Sequence, residues 1–326
     1  MHLVVPFAAP LAEAGRRTLE SLELPVLASL LARLTPAGRD DGDEWSLSPP
    51  HERVLARALG LVGDDGRLPW AARLAARDGI ATGDLAWGLL TPLHWHLGTD
   101  QVSVIDPAAL HLDEAGSRAL FAAVEPLFTS EGFVLVWGAP TRWYLAHESL
   151  AALATASLDR VIGRNVDRWL VPGQRAQEVQ PEAGAAAAAA RRIARLQNEV
   201  QMLLHAHPLN EARAVRGELP VNSFWLSGCG VAADAMRETD PPAVDERLRA
   251  PSLAGDWPGW ASAWDALDAG PLARLAARRE RGEPVRLTLC GERSAAGFAS
   301  DAARGWWRQL GARWRHANPR ALLETL

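Results

Sequence analysis

The most constraining stretch of this chain is residues 191–230, RRIARLQNEVQMLLHAHPLNEARAVRGELPVNSFWLSGCG. Ile193, Leu196, Val200, Leu203, Leu204 and His207 recur at the spacing of one helical face, which predicts an amphipathic helix. Pro208 ends it, because a proline pushes the residue before it out of the helical region. A polar corner follows, carrying Asn210, Arg213 and Gly217, and Pro220 leads into the apolar run 221–226. That run reads as a buried strand emptying into Gly228-Cys229-Gly230. A helix that turns through a polar corner into a strand agrees with an α/β fold.

The flanking sequence continues in the same manner. Residues 3–7 predict a first buried strand, 24–34 a helix that Thr35-Pro36-Ala37-Gly38 ends, and a further helix starts after Ser48 with Pro49 and Pro50 in its first turn. Residues 70–77 and 112–128 predict helices, and 133–137 with 141–146 predict a hairpin around Gly138-Ala139-Pro140. Ser157 reads as the cap of a helix over 157–170, interrupted at Gly163-Arg164-Asn165, and 285–290 reads as a strand. Residues 172–190 open with Pro, Gly, Gln and Glu before an alanine run, and this stretch reads as a linker. The expected organisation is an N-terminal α/β half over 1–171 and a C-terminal α/β half over 191–326, in one domain or two lobes.

Composition excludes several function classes. A net charge of −5 argues against binding dominated by a phosphate backbone. Arg304, Arg308, Arg313 and Arg315 surround Trp306, Leu310 and Trp314, a mixture that can stack on single-stranded nucleic acid. The tryptophan spacing equally fits a buried helical face, and the acidic balance weighs against nucleic acid. Trp257, Trp260 and Trp264 repeat the helical spacing and are expected in a core. Cys229 and Cys290 make neither a disulfide framework nor a zinc pattern. No window approaches the roughly 20 apolar residues that span a bilayer. The short apolar start lacks a basic leader, so a cytoplasmic location away from membranes is expected.

Two groups of residues carry candidate chemistry. His94 and His96 sit two apart, project to one face of an extended backbone, and lie close to Asp100. Such a set can ligate zinc or manganese, or can be two hydrogen-bonded histidines flanking an inward Trp95. Asn210, Arg213 and Asn222 can hold a small anion through charge-assisted bonds, or can brace the corner they occupy. His207, Trp225, Gly228 and Gly230 border the same corner, and Arg164 with Asn165 suits an anion site or a plain helix cap.

The segment 198–205, NEVQMLLH, then His207-Pro208-Leu209-Asn210, Arg213, Gly217 and the run 219–225, LPVNSFW, resemble the RpfE-type regulatory-protein family, often labelled phosphoglycerate-mutase-like. Residues 157–165, Arg142-Trp143-Tyr144 and residues 91–107 fit the same family, so the resemblance covers most of the chain. More distantly, the central motif is similar to archaeal-type cofactor-independent phosphoglycerate mutases of the alkaline-phosphatase-like superfamily. That resemblance implies a mixed sheet flanked by helices and, in a working enzyme, two divalent metals (Mn, Mg or Zn) with a serine nucleophile. Ser223 and Ser227 are the serines nearest the motif. The chain departs from the pattern where an Asp-Gly should leave the first strand: it has Val4-Val5-Pro6-Phe7-Ala8, with no acid before Glu13. An Arg-His-Gly motif is also absent, which disfavours a phosphohistidine route. The expectation is therefore a regulatory or small-ligand-binding protein, with a small anionic metabolite or a regulatory protein as partner. A metal-dependent phosphomutase or phosphatase, with His94, His96, Asp100 and His205 or His207 as ligands, is the alternative.

Overall fold

The computed structural model describes residues 1–98, 101–170, 184–232, 241–300 and 318–326. Along them the strands are β1 (His2–Val5), β2 (Thr35–Asp40), β3 (Ala86–Leu93), β4 (Trp95–Leu97), β5 (Val102–Val104), β6 (Val134–Ala139), β7 (Arg142–Ala146), β8 (Ser223–Val231), β9 (Ala243–Val244), β10 (Arg286–Cys290) and β11 (Ala295–Ala299). Helices alternate with them, giving the expected α/β class with a five-stranded mixed sheet flanked by helices. No described helix is long and apolar enough to cross a membrane. Two compact units result: Met1–Leu59 with Glu238–Leu326, and Gly60–Arg237. The divisions fall at 59/60 and 237/238, not within the predicted 172–190 linker, of which 172–183 lie outside the described residues. The reason is non-local pairing: β9, β10 and β11 return to β1 and β2, and composition carries no trace of that.

In the first unit the sheet order is β2-β11-β10-β1-β9, with β1 parallel to β10 and β9 and the β10–β11–β2 side antiparallel. Val4 and Val5 are fully buried, as the central place of β1 requires. Residues 35–40 do more than end a helix: they form the outermost strand, where Pro36 is tolerated because an edge strand can spare a ladder donor. The tryptophan stripe lies on the helix Trp257–Leu267, with Trp260 and Trp264 wholly buried. Trp260 donates its indole N–H to the Phe7 carbonyl at 3.0 Å. Phe7, just past β1, has φ of 56°, a strained setting for a bulky side chain. That hydrogen bond and the 0%-exposed Trp260 ring hold the turn in place.

In the second unit the antiparallel order is β6-β7-β3-β8, and a separate ribbon is made by β4 and β5. Helices Glu114–Ser130 and Ala185–His205 contribute Leu120, Val124, Phe128, Ile193, Leu196 and Val200 to its larger core, with Phe224 of β8. The helix Trp70–Arg77 contributes Ala71, Ala72 and Ala75 to a smaller one with Trp87 and Tyr144. Gly228-Cys229-Gly230 does not turn: β8 runs straight through it with a register irregularity against β3. Gly228 has φ of 62°, and a Cβ there would lie 2.9 Å from that of Trp70. The predicted helix over 157–170 is replaced by a short helix, Leu158–Val161, and a 3-10 turn, Val166–Arg168. Between them Gly163 takes φ of 71°, and the chain instead bridges β5.

Two measurements test these packing arguments. Trp260 and Trp264 are both fully buried, but the Trp264 indole N–H has no partner among the described residues. Replacing Trp260 by Phe should cost about 1 kcal/mol more than the same change at Trp264, because only the former strands a buried carbonyl. Chemical denaturation of both variants reads the difference. His2 bonds Thr288 at 2.9 Å, and its pKa falls from 6.5 to about 4 through burial, then the charges of Arg286 and the amino terminus. Below 6.5 the unfolded chain takes up a proton that the folded chain refuses until about 4, so stability drops as pH falls through that window. His2→Gln should lose less stability than the parent between about pH 7 and about pH 4.5.

Candidate functional site

The candidate site is the outer face of the β4–β5 ribbon, and it is built by register. β4 pairs with β5 so that Trp95 faces Val104 and His96 faces Ser103. The segment after the short helix adds a third line: Ser103 bridges Asn165, Val104 bridges Ile162, and the Gly163 N–H donates to the Val104 carbonyl at 2.9 Å. Directly opposed residues share a face, so His96, Ser103 and Asn165 form one polar row. The other face is apolar, with Val104 fully buried and the Trp95 ring 6.5 Å from that of Trp225.

His94 stands beside this row, its ring centroid 6.4 Å from that of His96. Its Nδ1 lies 2.8 Å from the Pro220 carbonyl. A carbonyl only accepts, so Nδ1 carries the proton, and in the neutral ring Nε2 keeps its lone pair. His96 is exposed, and Arg164 and Asn165 are half-buried. The Asn165 Oδ1 accepts from the Asp167 N–H at 2.9 Å, capping the 3-10 turn, which leaves its amide N–H groups without a partner among the described residues. The site thus gathers two imidazoles, a hydroxyl and an amide on neighbouring strands. Asp100 lies outside the described residues.

Asn222 positions the row without belonging to it. Its Oδ1 accepts from the Trp95 N–H at 2.7 Å and its Nδ2 donates to the Trp95 carbonyl at 2.9 Å. One side-chain amide thereby replaces a strand for the residue between the two histidines. The remaining motif residues spend their polar atoms on the main chain. Asn210, 5% exposed, donates to the carbonyls of Leu204 (2.8 Å) and Val221 (2.7 Å) and accepts from the Val221 N–H (2.9 Å). Arg213, 4% exposed, donates to the carbonyls of Leu219 and Leu110 and pairs with Glu218 at 3.3 Å. His207 caps the helix Pro208–Val215 by accepting from the Leu209 N–H at 3.2 Å. Trp225 donates to the Ala156 carbonyl at 2.9 Å, and Gly230 lets Pro69 approach β8. Of the two readings of Asn210 and Arg213, bracing describes every bond they make. Sequence reasoning missed Ser103 and the clamp role of Asn222, since both depend on a ribbon register that no local signal encodes.

Metal-ligand geometry among the described residues is sparse around these histidines. Among the described residues no group of three or more His, Cys, Asp or Glu side chains converges. Two imidazoles sharing one tetrahedral ion at the usual Zn–N distance place their ring centroids about 5 Å apart, short of the 6.4 Å between His94 and His96. At the exit of β1, Phe7 is 8% exposed where the resemblance expects an acid. Neither thiol is a ready nucleophile: burial pushes Cys229 up to about 12 against a lowering hydrogen bond from Thr155, and burial raises Cys290 as well.

No protein-family model matches this chain, and no curated protein matches it. Among solved structures it is similar to the cofactor-independent phosphoglycerate mutase of Thermoplasma acidophilum, at 13% identity and a TM-score of 0.37, covering 100% of this chain and 98% of that one. It is also similar to the PH0037 protein of Pyrococcus horikoshii, at 10% identity and a TM-score of 0.40, covering 92% and 87%. At these values the likeness assigns no activity, and the likeness to the RpfE-type family stays a reading of the sequence.

The brace is testable apart from any ligand. Asn210→Ala should destabilise the protein by about 2–3 kcal/mol, because it leaves the buried carbonyl and N–H of Val221 unpaired and takes one of its bonds from the Leu204 carbonyl. A urea titration reads the loss.

Proposed function

We propose that this chain is a small-ligand-binding protein of regulatory type, that it takes an anionic metabolite on the outer face of the β4–β5 ribbon, and that it does not carry out metal-dependent phosphoryl transfer. The observation that carries this reading is the row His96, Ser103, Asn165 with His94 beside it. Hydroxyl, amide and imidazole N–H donors gathered on one face suit the oxygens of a phosphate or carboxylate. The Asn222 clamp on Trp95 supports the reading, because a site needs its groups held before the ligand arrives. The poor fit to a metal pair and the apolar exit of β1 support binding over catalysis.

One observation favours the alternative, a metal-dependent phosphomutase or phosphatase: the Nε2 lone pair that the Pro220 contact leaves on His94 is the form a metal ligand takes. The two readings separate in a coupled phosphoglycerate mutase assay of the purified chain with Mn²⁺, Mg²⁺, Co²⁺ or Zn²⁺, beside a His94→Ala/His96→Ala variant. The expected result is no turnover with any metal. Calorimetric titration with 3-phosphoglycerate and inorganic phosphate should show binding that His96→Ala or Asn165→Ala each weakens about tenfold. Turnover that the double variant abolishes, or the absence of any anion binding, overturns the proposal.

A further inference from the structure

The first unit carries a cavity unrelated to the ribbon. It measures about 270 Å³ and lies where the helices Glu13–Glu20, Pro25–Arg33 and Pro319–Leu323 meet. Leu19, Leu22, Leu24, Ala28 and Leu323 give it an apolar wall, with Leu19, Leu24 and Leu323 belonging to the core of the unit. Its volume sits just below the roughly 300–1,000 Å³ of drug-sized ligand pockets, so it suits a ring or a short alkyl chain and nothing larger.

The polar groups at its mouth decide the charge of what enters. Arg320 lines the cavity but is already held by two carboxylates, Glu324 at 2.7 Å and Glu20 at 3.4 Å. The Asn318 Oδ1 is committed to the Ala321 N–H at 3.2 Å. Glu23, by contrast, lines the cavity with no hydrogen-bond or ion-pair partner among the described residues. Three carboxylates thus stand against one guanidinium, and the single uncommitted charge is negative.

We propose that this cavity binds a small amphipathic amine, its apolar body against Leu22, Leu24 and Ala28 and its ammonium on Glu23. Most of the affinity comes from removing the apolar body from water, and the charge selects among ligands of equal shape. An anion of the same size meets Glu23 unopposed and is rejected.

The test uses the whole chain and three probes of one shape: phenethylamine, 2-phenylethanol and 3-phenylpropionate, followed by ligand-observed NMR. Saturable binding in the order amine, alcohol, carboxylate is expected, with the amine about fivefold tighter than the alcohol, in keeping with an exposed ion pair. Glu23 is exposed, so Glu23→Gln keeps the fold and should erase that fivefold preference while the alcohol still binds. Ala28→Leu should narrow the cavity and weaken all three probes together. Equal binding of amine and carboxylate, an unchanged preference in Glu23→Gln, or no binding of any probe overturns the proposal.

Discussion

The side-chain amide of Asn210 is the interaction on which the second unit depends. A helix end and a strand start meet at Pro208 and Pro220, and both leave buried main-chain groups without regular partners. Such groups are expensive to bury unpaired, and Asn210 satisfies one carbonyl on the helix side and both polar groups of Val221 on the strand side. Arg213 completes the same task by reaching Leu219 and, far along the chain, Leu110. With the corner held, β8 enters the sheet in a defined register against β3. That register carries Asn222 to Trp95, and the clamp on Trp95 fixes where His94 and His96 stand. The polar face of the ribbon is thus the last consequence of a backbone-satisfaction problem several residues away.

A comparable problem is solved in the first unit by packing. The chain leaves β1 through Phe7 in a left-handed conformation, and the strain is offset by burying the ring and bonding the carbonyl to Trp260. The exit of a central parallel strand is a customary place for a ligand in α/β proteins. Here it is filled by side chains. The same unit opens elsewhere, between its helices, where an apolar wall meets the uncommitted Glu23.

These features separate scaffold from activity. A central strand, flanking helices and a braced corner are compatible with catalysis and with binding alike, so the decision lies with the groups that face outward. On the ribbon those groups are hydrogen-bond donors and imidazoles spaced wider than one ion requires. At the exit of β1 they are apolar.

Periodicity in the sequence determined the helices over the central stretch and around the tryptophan stripe, because a 3.6-residue repeat of large apolar side chains has one economical solution. It likewise determined β1, β7, β8 and β10 as strands, and Pro208 marked the corner. The same local evidence presented Asn210 and Arg213 equally as ligands and as braces, since residue type does not disclose a hydrogen-bond partner. Tertiary structure alone decided that they brace, that residues 162–165 bridge a ribbon in place of a helix, and that β9 to β11 rejoin β1. Each of those outcomes depends on which distant backbone group is left unpaired, a quantity that exists only once the chain has folded.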